Sequence, residues 1–123
     1  MEVQYEYDDK QKIIFIRVSG EMTMESIASI SNEIRLKAKE MNYKLLYDFR
    51  KSTYKKAIID AYKFFEENFD EKEIEVNYIP TANIVNVEDQ DFFQFVETTL
   101  TNRGARLKYF TDEKKGIDWL LSL

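Results

Sequence analysis

Residues 43–56 read YKLLYDFRKSTYKK, an apolar segment that runs directly into a cluster of cations. Leu45, Leu46 and Tyr47 form an unbroken apolar run. Such a run is typical of a strand that is covered on both faces rather than on one. We therefore predict a strand over residues 43–49 at the centre of a sheet, and the rest of the fold is built outward from it.

Ser52 and Thr53 follow this strand and have side chains that cap the first turn of a helix. Two cations precede this pair and two follow it: Arg50, Lys51, Lys55 and Lys56. The amino end of a helix already carries about half a positive charge, so four cations with no acid before Asp60 oppose the helix dipole. Because a broken local rule without structural gain often marks function, we predict an anion-attracting surface here.

The composition limits the class of protein. At 123 residues the chain has the size of one domain, and we expect residues 1–123 to fold around one core. The 23 acids and 18 bases give a net charge of -5, which disfavours binding to nucleic acid. The chain starts without a signal-peptide pattern, and no apolar run approaches the ~20 residues of a membrane span. We therefore expect a cytoplasmic protein.

The chain contains no Cys and no His. Disulfides, thiolate zinc sites and cysteine nucleophiles are therefore excluded, and the most common general base and zinc ligand are absent. Carboxylates, Lys, Tyr or a bound metal would have to carry any reaction. The acidic run within residues 66–75 lacks the spacing of a calcium loop, so we expect it to be solvated or to contact a basic partner. We predict a non-enzymatic protein with no catalytic residue, metal or cofactor.

Strands and helices alternate along the chain. Apolar patterns predict strands over residues 3–7, 12–18, 43–49, 78–87 and 106–110. Helices are predicted to begin near residues 23, 52, 88 and 111. The order ββαβαβαβα predicts an α/β fold, with a mixed, mostly parallel sheet of about five strands and four helices. The first strand is expected to pair antiparallel with the second through a hairpin.

Residue types at the predicted helix ends indicate how these helices start and stop. Thr23 and Thr111 are expected to cap the first and last helices. Gly104 can take the left-handed conformation that ends the third helix. Ile34 belongs to the apolar stripe of the first helix, and Trp119 is expected to lie against a neighbouring element.

Three motifs near the end of the chain resemble those of a known family. They are NRG at residues 102–104, YFTDE at 109–113 and DWL at 118–120. Together with the order of elements and the strand–loop–helix of residues 45–54, they resemble the SpoIIAA-like branch of the STAS/SEC14 superfamily over nearly the whole chain. The resemblance implies a single STAS-like domain.

The resemblance also implies a class of function. Anti-sigma factor antagonists of this superfamily are bacterial switch proteins, phosphorylated on a serine at the start of the helix after the central strand. Residues 48–53 match that stretch, but the Asp-Ser-Ser-Gly signature is missing and no Gly occurs between Gly20 and Gly104. The resemblance thus implies a cytoplasmic regulatory module with a protein partner and leaves phosphorylation of Ser52 or Thr53 open.

We predict that the working surface is a loop from Asp48 to Lys56. Its proposed binding residues are Asp48, Arg50, Lys51, Ser52, Thr53, Lys55 and Lys56. Backbone donors at a helix start, hydroxyls and cations suit a small anion, and a loop after a parallel strand is a common ligand site. The plainer alternative is that Ser52 or Thr53 only caps a helix while the lysines are solvated. Asp48 would then fix its own loop by hydrogen bonds.

A second interpretation is a carrier of a small hydrophobic or amphipathic, lipid-like ligand, as in SEC14-type relatives. The same cations would hold its polar end, and Tyr62 and Phe65 would line its body. Aromatic residues at helical spacing are usually core, which favours simple packing instead. An enzyme that uses Asp48 and a lysine has no further motif to support it. An exposed edge strand and an aromatic surface are compatible with a homodimer.

Overall fold

The computed structural model of the chain describes residues 1–22, 24–53, 79–102 and 104–123. One sheet contains the strands β1 (Glu2–Asp8), β2 (Ile13–Glu21), β3 (Lys44–Thr53), β4 (Thr81–Ile84) and β5 (Leu107–Phe110). Its helices in these ranges are α1 (Met24–Met41), α2 (Gln90–Asn102) and α3 (Glu113–Leu121), and a 3-10 helical turn (Val87–Asp89) precedes α2. In this part of the chain no helix is long and apolar enough to cross a membrane.

The five strands lie in chain order, β1-β2-β3-β4-β5, so β3 is central as the sequence predicts. β1 pairs antiparallel with β2, and the β2–β3, β3–β4 and β4–β5 pairs are parallel. The predicted α/β fold with a mixed sheet of five strands is confirmed. The described ranges contain three α-helices where four are predicted. The fourth, after Thr53, lies outside the described residues, as does the acidic run of residues 66–75.

The sheet has an apolar layer on each face, because side chains of a strand alternate between its two sides. α1 and α2 cover one face, and their buried residues there include Ile34, Ala38, Phe93 and Val96. The strand residues of this layer include Ile14, Ile16, Val18, Leu45, Tyr47 and Phe49, and Val85 joins it just after β4. α3 covers the other face, where Leu120 packs with Ile13, Phe15, Leu46, Ala82 and Ile84. The runs Ile13–Ile16 in β2 and Leu45–Tyr47 in β3 are thus apolar because both faces of the sheet are covered there.

β3 is longer than predicted and runs past Phe49 to Thr53. Its second half pairs with β2 after an irregularity between Arg17 and Ser19, which brings Gly20 opposite Ser52. The Met22 amide then donates to the Thr53 carbonyl at 2.8 Å. The prediction that the strand ends at Phe49 is therefore wrong, whereas the predicted helix after Thr53 lies outside the described residues. Pairing with β2 decided the backbone conformation of Ser52 and Thr53. The preference of these residue types for helix caps did not decide it.

The ends of the helices agree with the sequence in part. Gly104 has a φ of 93°, as predicted for a left-handed stop, and the Ala105 amide donates to the Leu100 carbonyl at 3.0 Å. The last helix is capped by Asp112, not by Thr111, because the Asp112 carboxylate accepts the Lys114 amide at 2.8 Å. Trp119 packs on Phe110, with ring centroids 5.9 Å apart, as expected. Thr23 lies outside the described residues.

Gly116 allows α3 to approach the sheet closely. A Cβ placed at this residue would lie 2.8 Å from Cδ1 of the buried Ile84 and 3.4 Å from Cβ of Ala82. We therefore expect Gly116→Val to lower the free energy of unfolding by about 1–3 kcal/mol through overpacking. Urea denaturation measures this. Lys115→Val, at an exposed residue of the same helix, should cost less than about 1 kcal/mol. Equal losses in the two variants would contradict the close packing of α3.

Candidate functional site

Asp48 lies near the middle of β3, on the face of the sheet that α3 covers. Along this face the apolar residues Leu46 and Ile84 give way to charged side chains. Arg17 stands beside Asp48 on β2, where the two are register partners. The Asp48 side chain is only 12% exposed. A carboxylate this buried needs hydrogen-bond donors, and the chain supplies them from two directions.

Arg50, two residues further along β3, forms an ion pair with the Asp48 carboxylate. Its Nε lies 2.9 Å from Oδ1 and its Nη2 2.9 Å from Oδ2, a bidentate ion pair, and its backbone amide also donates to Oδ1 at 3.1 Å. Arg17 adds a bond from Nη1 to Oδ2 at 2.9 Å. Bidentate arginine–carboxylate pairs are among the stronger polar contacts in proteins. The carboxylate is therefore satisfied at both of its oxygens.

Glu113, in the first turn of α3, closes the cluster from the other side. Its Oε1 lies 2.7 Å from Nη1 of Arg17 and 3.5 Å from Nη2 of Arg50. We refer to Arg17, Asp48, Arg50 and Glu113 as the arginine–carboxylate cluster. It joins β2, β3 and the amino end of α3, where a negative charge is favoured by the helix dipole. Arg50, paired with both Asp48 and Glu113, therefore helps to hold α3 against β3.

The cluster pairs Arg50, a predicted site residue, with carboxylates of the same domain. The sequence predicts that Arg50 adds positive charge to an anion-attracting surface. In the structure the two arginines of the cluster face its two carboxylates, and Oε2 of Glu6 lies 4.0 Å from Nε of Arg17, so the cluster has no net positive charge. The two arginine side chains remain 36% and 40% exposed, and they touch solvent while they are paired. Arg50 is therefore paired with Asp48, and its contact with an anion or a partner stays a prediction.

The pKa of the Asp48 carboxyl lies below its ordinary value. Burial alone would raise this pKa, because it penalises the charged form. Hydrogen bonds from the side chain and backbone of Arg50, its positive charge, and the bond from Arg17 outweigh burial. Asp48 is thus ionised at neutral pH and acts as the fixed centre of an ion-pair cluster. This environment does not suit a general acid, which needs a raised pKa.

A cleft of about 380 Å³ opens at the carboxyl ends of β3 and β4, next to the cluster. We name it the β3–β4 cleft, and its lining residues are Arg50, Lys51, Ser52, Thr53, Asn86, Glu88 and Asp89. Asn86 holds its two sides together, since its Nδ2 donates to the Arg50 carbonyl at 3.0 Å. Lys51 and Glu88 are exposed. The cleft therefore presents a cation from β3 and acids from the turn after β4.

Ser52 and Thr53 point to different environments. Ser52 is 7% exposed, and its hydroxyl donates to the Phe49 carbonyl at 2.7 Å. Thr53 is exposed at the end of the strand. Of the two predicted hydroxyl groups, only that of Thr53 belongs to an exposed residue. The predicted site residues Lys55 and Lys56 lie outside the described residues, and their contribution stays a prediction.

Sequence reasoning missed several residues that the structure brings to this edge. Arg17 interrupts an apolar strand, and a cation in such a strand requires a buried partner. The sequence could therefore have predicted an ion pair at Arg17. Glu113 belongs to the YFTDE motif, but no sequence pattern links it to β2 or β3. Asn86, Glu88 and Asp89 carry no local pattern that links them to β3. Only the parallel pairing of β3 with β4 places them there.

Comparisons with known proteins concern the fold of this chain. No model of a protein family matches it, and no curated protein matches its sequence. Among solved structures it is similar to a protein from Shewanella loihica with a SpoIIAA-like fold, at 17% identity and a TM-score of 0.54. That alignment covers 97% of this chain and 92% of the other.

Two further solved structures resemble the chain equally well. One is an anti-sigma factor antagonist from Mycobacterium paratuberculosis, at 8% identity and a TM-score of 0.54 over 97% of this chain and 94% of the other. The second is the anti-sigma factor antagonist SpoIIAA in its unphosphorylated form, at 16% identity and 0.54 over 99% and 100%. The chain therefore has a SpoIIAA-like fold, as the resemblance implies.

The lowered pKa of Asp48 predicts how acid acts on stability. The folded-state pKa of Asp48 lies below its ordinary value of 3.8. The ionised carboxylate therefore contributes fully to the free energy of unfolding above pH 3.8, and this contribution is lost as the pH falls through the folded-state pKa. At neutral pH, Asp48→Asn removes the charged acceptor that Arg17 and Arg50 share, so that Glu113 is the carboxylate left in the cluster. The substitution should lower the free energy of unfolding by about 1–3 kcal/mol.

Urea denaturation of both proteins from neutral to acid pH measures this difference. It should shrink as the pH falls below 3.8. Asp118→Asn, at an exposed residue of α3, serves as the matched control and should leave stability within about 0.5 kcal/mol at every pH. A difference that stays constant with pH would contradict the charged role of Asp48.

Proposed function

We propose that the protein is a non-enzymatic regulatory module that binds a protein partner through the β3–β4 cleft. The observation that supports this most is the cleft itself, which combines charges of both signs at the carboxyl ends of two parallel strands. Ligands of open α/β sheets commonly bind at this edge. Two of the proteins that share the fold are anti-sigma factor antagonists.

The charges around the cleft favour a folded or extended protein surface over a free small anion. Arg50 is neutralised by Asp48, and Glu88 and Asp89 would repel an anion that approaches Lys51. A protein partner can offer an acid to Lys51 and a base to Glu88 in one complex. Opposed charges arranged in this way steer association and fix the register of an interface.

Val87 supports a protein partner independently. It lies between Asn86 and Glu88 in the turn that lines the cleft, and 71% of it is exposed. An apolar side chain surrounded by polar ones resembles the centre of a protein interface, where an apolar core has a polar rim. In this proposal residues 1–123 act as one cytoplasmic domain, and no side chain has a catalytic role.

The first test uses partner binding. The partner is isolated by cross-linking the protein in the organism that encodes it, and its affinity for purified variants is then measured by biolayer interferometry. Lys51→Glu should weaken binding at least tenfold, because it places a new carboxylate opposite an acidic residue of the partner. The cost should be about 1.4 kcal/mol or more. The combination Lys51→Ala, Lys55→Ala and Lys56→Ala should abolish it.

Lys10→Glu, at an exposed residue of the turn between β1 and β2, is the matched control and should bind the partner as the wild-type protein does. All variants should retain their unfolding midpoints, since an exposed lysine contributes little to stability. Unchanged binding by Lys51→Glu, or an equal loss in Lys10→Glu, would refute the β3–β4 cleft as the interface.

The proposal also assigns the regulatory hydroxyl to Thr53. Thr53 is exposed, whereas the Ser52 hydroxyl is buried and bonded to the Phe49 carbonyl, so a kinase reaches Thr53 more easily. A phosphate on Thr53 would add about two negative charges to a cleft that already contains Glu88 and Asp89 and would repel the acidic part of a partner.

Phosphopeptide mapping of protein from its own host should therefore place the phosphate on Thr53. Thr53→Glu should weaken partner binding, and Thr53→Val, which keeps the shape without the hydroxyl, should preserve it. A phosphate found on Ser52 alone, or on neither residue, would contradict this assignment while leaving the interface test unaffected.

A further inference from the structure

A second groove, of about 540 Å³, lies at the opposite edge of the sheet, where the parallel strands begin. Three backbone hydrogen bonds cross this edge in a row. They run from the Lys44 amide to the Lys12 carbonyl, from Leu45 to Pro80, and from Thr81 to Arg106, each at 3.0 Å. These bonds align the start of β3 with the residues that precede β2 and β4, and the start of β4 with the residue that precedes β5. The groove is therefore long and follows the edge of the sheet.

The described lining of this groove contains four cations and no carboxylate side chain, and the main-chain oxygen of Leu123 in this lining accepts from the Lys44 ammonium at 3.4 Å. The cations are Lys12, Lys39, Lys44 and Arg106. This concentration is notable in a chain with a net charge of -5. Lys39 and Lys44 have a structural reason to be there. Lys39 lies in the last turn of α1, and the Lys44 ammonium donates to the Leu120 carbonyl of α3 at 2.6 Å, so both offset a helix dipole.

Lys12 and Arg106 have no comparable structural role. Both are exposed, and neither forms a side-chain ion pair with another residue of the described ranges. They precede β2 and β5, which are separated by three strand spacings of about 4.8 Å, or roughly 14 Å in all. The groove thus has a cation at each end and the Lys44 ammonium between them. Its floor is apolar, with Ala38 and Ile79 buried.

We propose that this amino-edge groove binds a small, elongated polyanion whose charged groups are phosphates or carboxylates. Arg106 and Lys12 bind its two ends, and Lys44 contacts its middle while it remains anchored to α3. The volume lies within the roughly 300–1,000 Å³ that is usual for small-molecule sites. The guanidinium of Arg106 can bind either kind of oxyanion with two parallel hydrogen bonds. The site is separate from the β3–β4 cleft, and neither proposal depends on the other.

The test is a titration of the isotope-labelled protein, followed by NMR amide shifts and by calorimetry at an ionic strength of about 0.15 M. The probes are inorganic tripolyphosphate in one arm and citrate in the other. We expect saturable shifts at Lys12, Lys44 and Arg106 and none at residues 50–53. Saturation by tripolyphosphate alone identifies a phosphate ligand, and saturation by citrate alone a carboxylate ligand. Saturation by both supports recognition of charge and length.

Two substitutions remove the end cations without disturbing the fold. Arg106→Ala should weaken binding about tenfold, as the loss of one charge-assisted contact does. Lys12 has a φ of 58°, so Lys12→Asn is preferred over alanine, because asparagine tolerates that conformation. It should also weaken binding severalfold. Lys44 is left intact because it caps α3.

Lys114→Ala, at an exposed cation of α3, is the matched control and should bind the two probes as the wild-type protein does. Absence of saturation with both probes would overturn the proposal. So would an affinity that neither Arg106→Ala nor Lys12→Asn changes, or an equal loss in Lys114→Ala. Shifts confined to Lys51 and Thr53 would also overturn it, because they would place the anion in the β3–β4 cleft instead.

Discussion

The charged edge of this protein depends on one buried carboxylate. Removing Asp48 from water is costly, and the cost is offset only because Arg50 and Arg17 donate to both of its oxygens. That requirement orients the two guanidiniums, and Glu113 then brings the first turn of α3 against them. The Arg50 carbonyl, presented by the same strand, accepts the bond from Asn86 that closes the β3–β4 cleft. The geometry of the candidate site therefore follows from the way Asp48 is neutralised.

The extension of β3 has a consequence for the candidate site. Lys51, Ser52 and Thr53 belong to a hydrogen-bonded strand, so their side chains alternate in direction and are held by pairing with β2. Ser52 consequently turns inward and Thr53 outward. A binding surface on a strand is more precisely positioned than one on a loop. This rigidity suits recognition of a complementary protein surface without a large rearrangement of the domain.

The two edges of the sheet differ in charge for a physical reason. Carboxyl ends of α1 and α3 point to the amino edge of the parallel strands, and cations such as Lys39 and Lys44 complement their dipoles. The carboxyl edge receives the amino end of α3, where Glu113 is favoured and joins the cluster. The α/β architecture thus makes one edge of the sheet rich in cations and the other mixed in sign.

The sequence by itself determined the order of the elements, the central position of β3 and the stop at Gly104, because these depend on local periodicity and backbone preference. Its motifs also indicated the SpoIIAA-like fold. Only the tertiary structure decided where β3 ends, which hydroxyl is exposed and what Arg50 binds. Arg17 is 31 residues from Asp48 and 96 from Glu113, so no local pattern could pair them. Local preferences act over a few residues, whereas the neutralisation of a buried charge depends on which distant side chains the fold brings within hydrogen-bond distance.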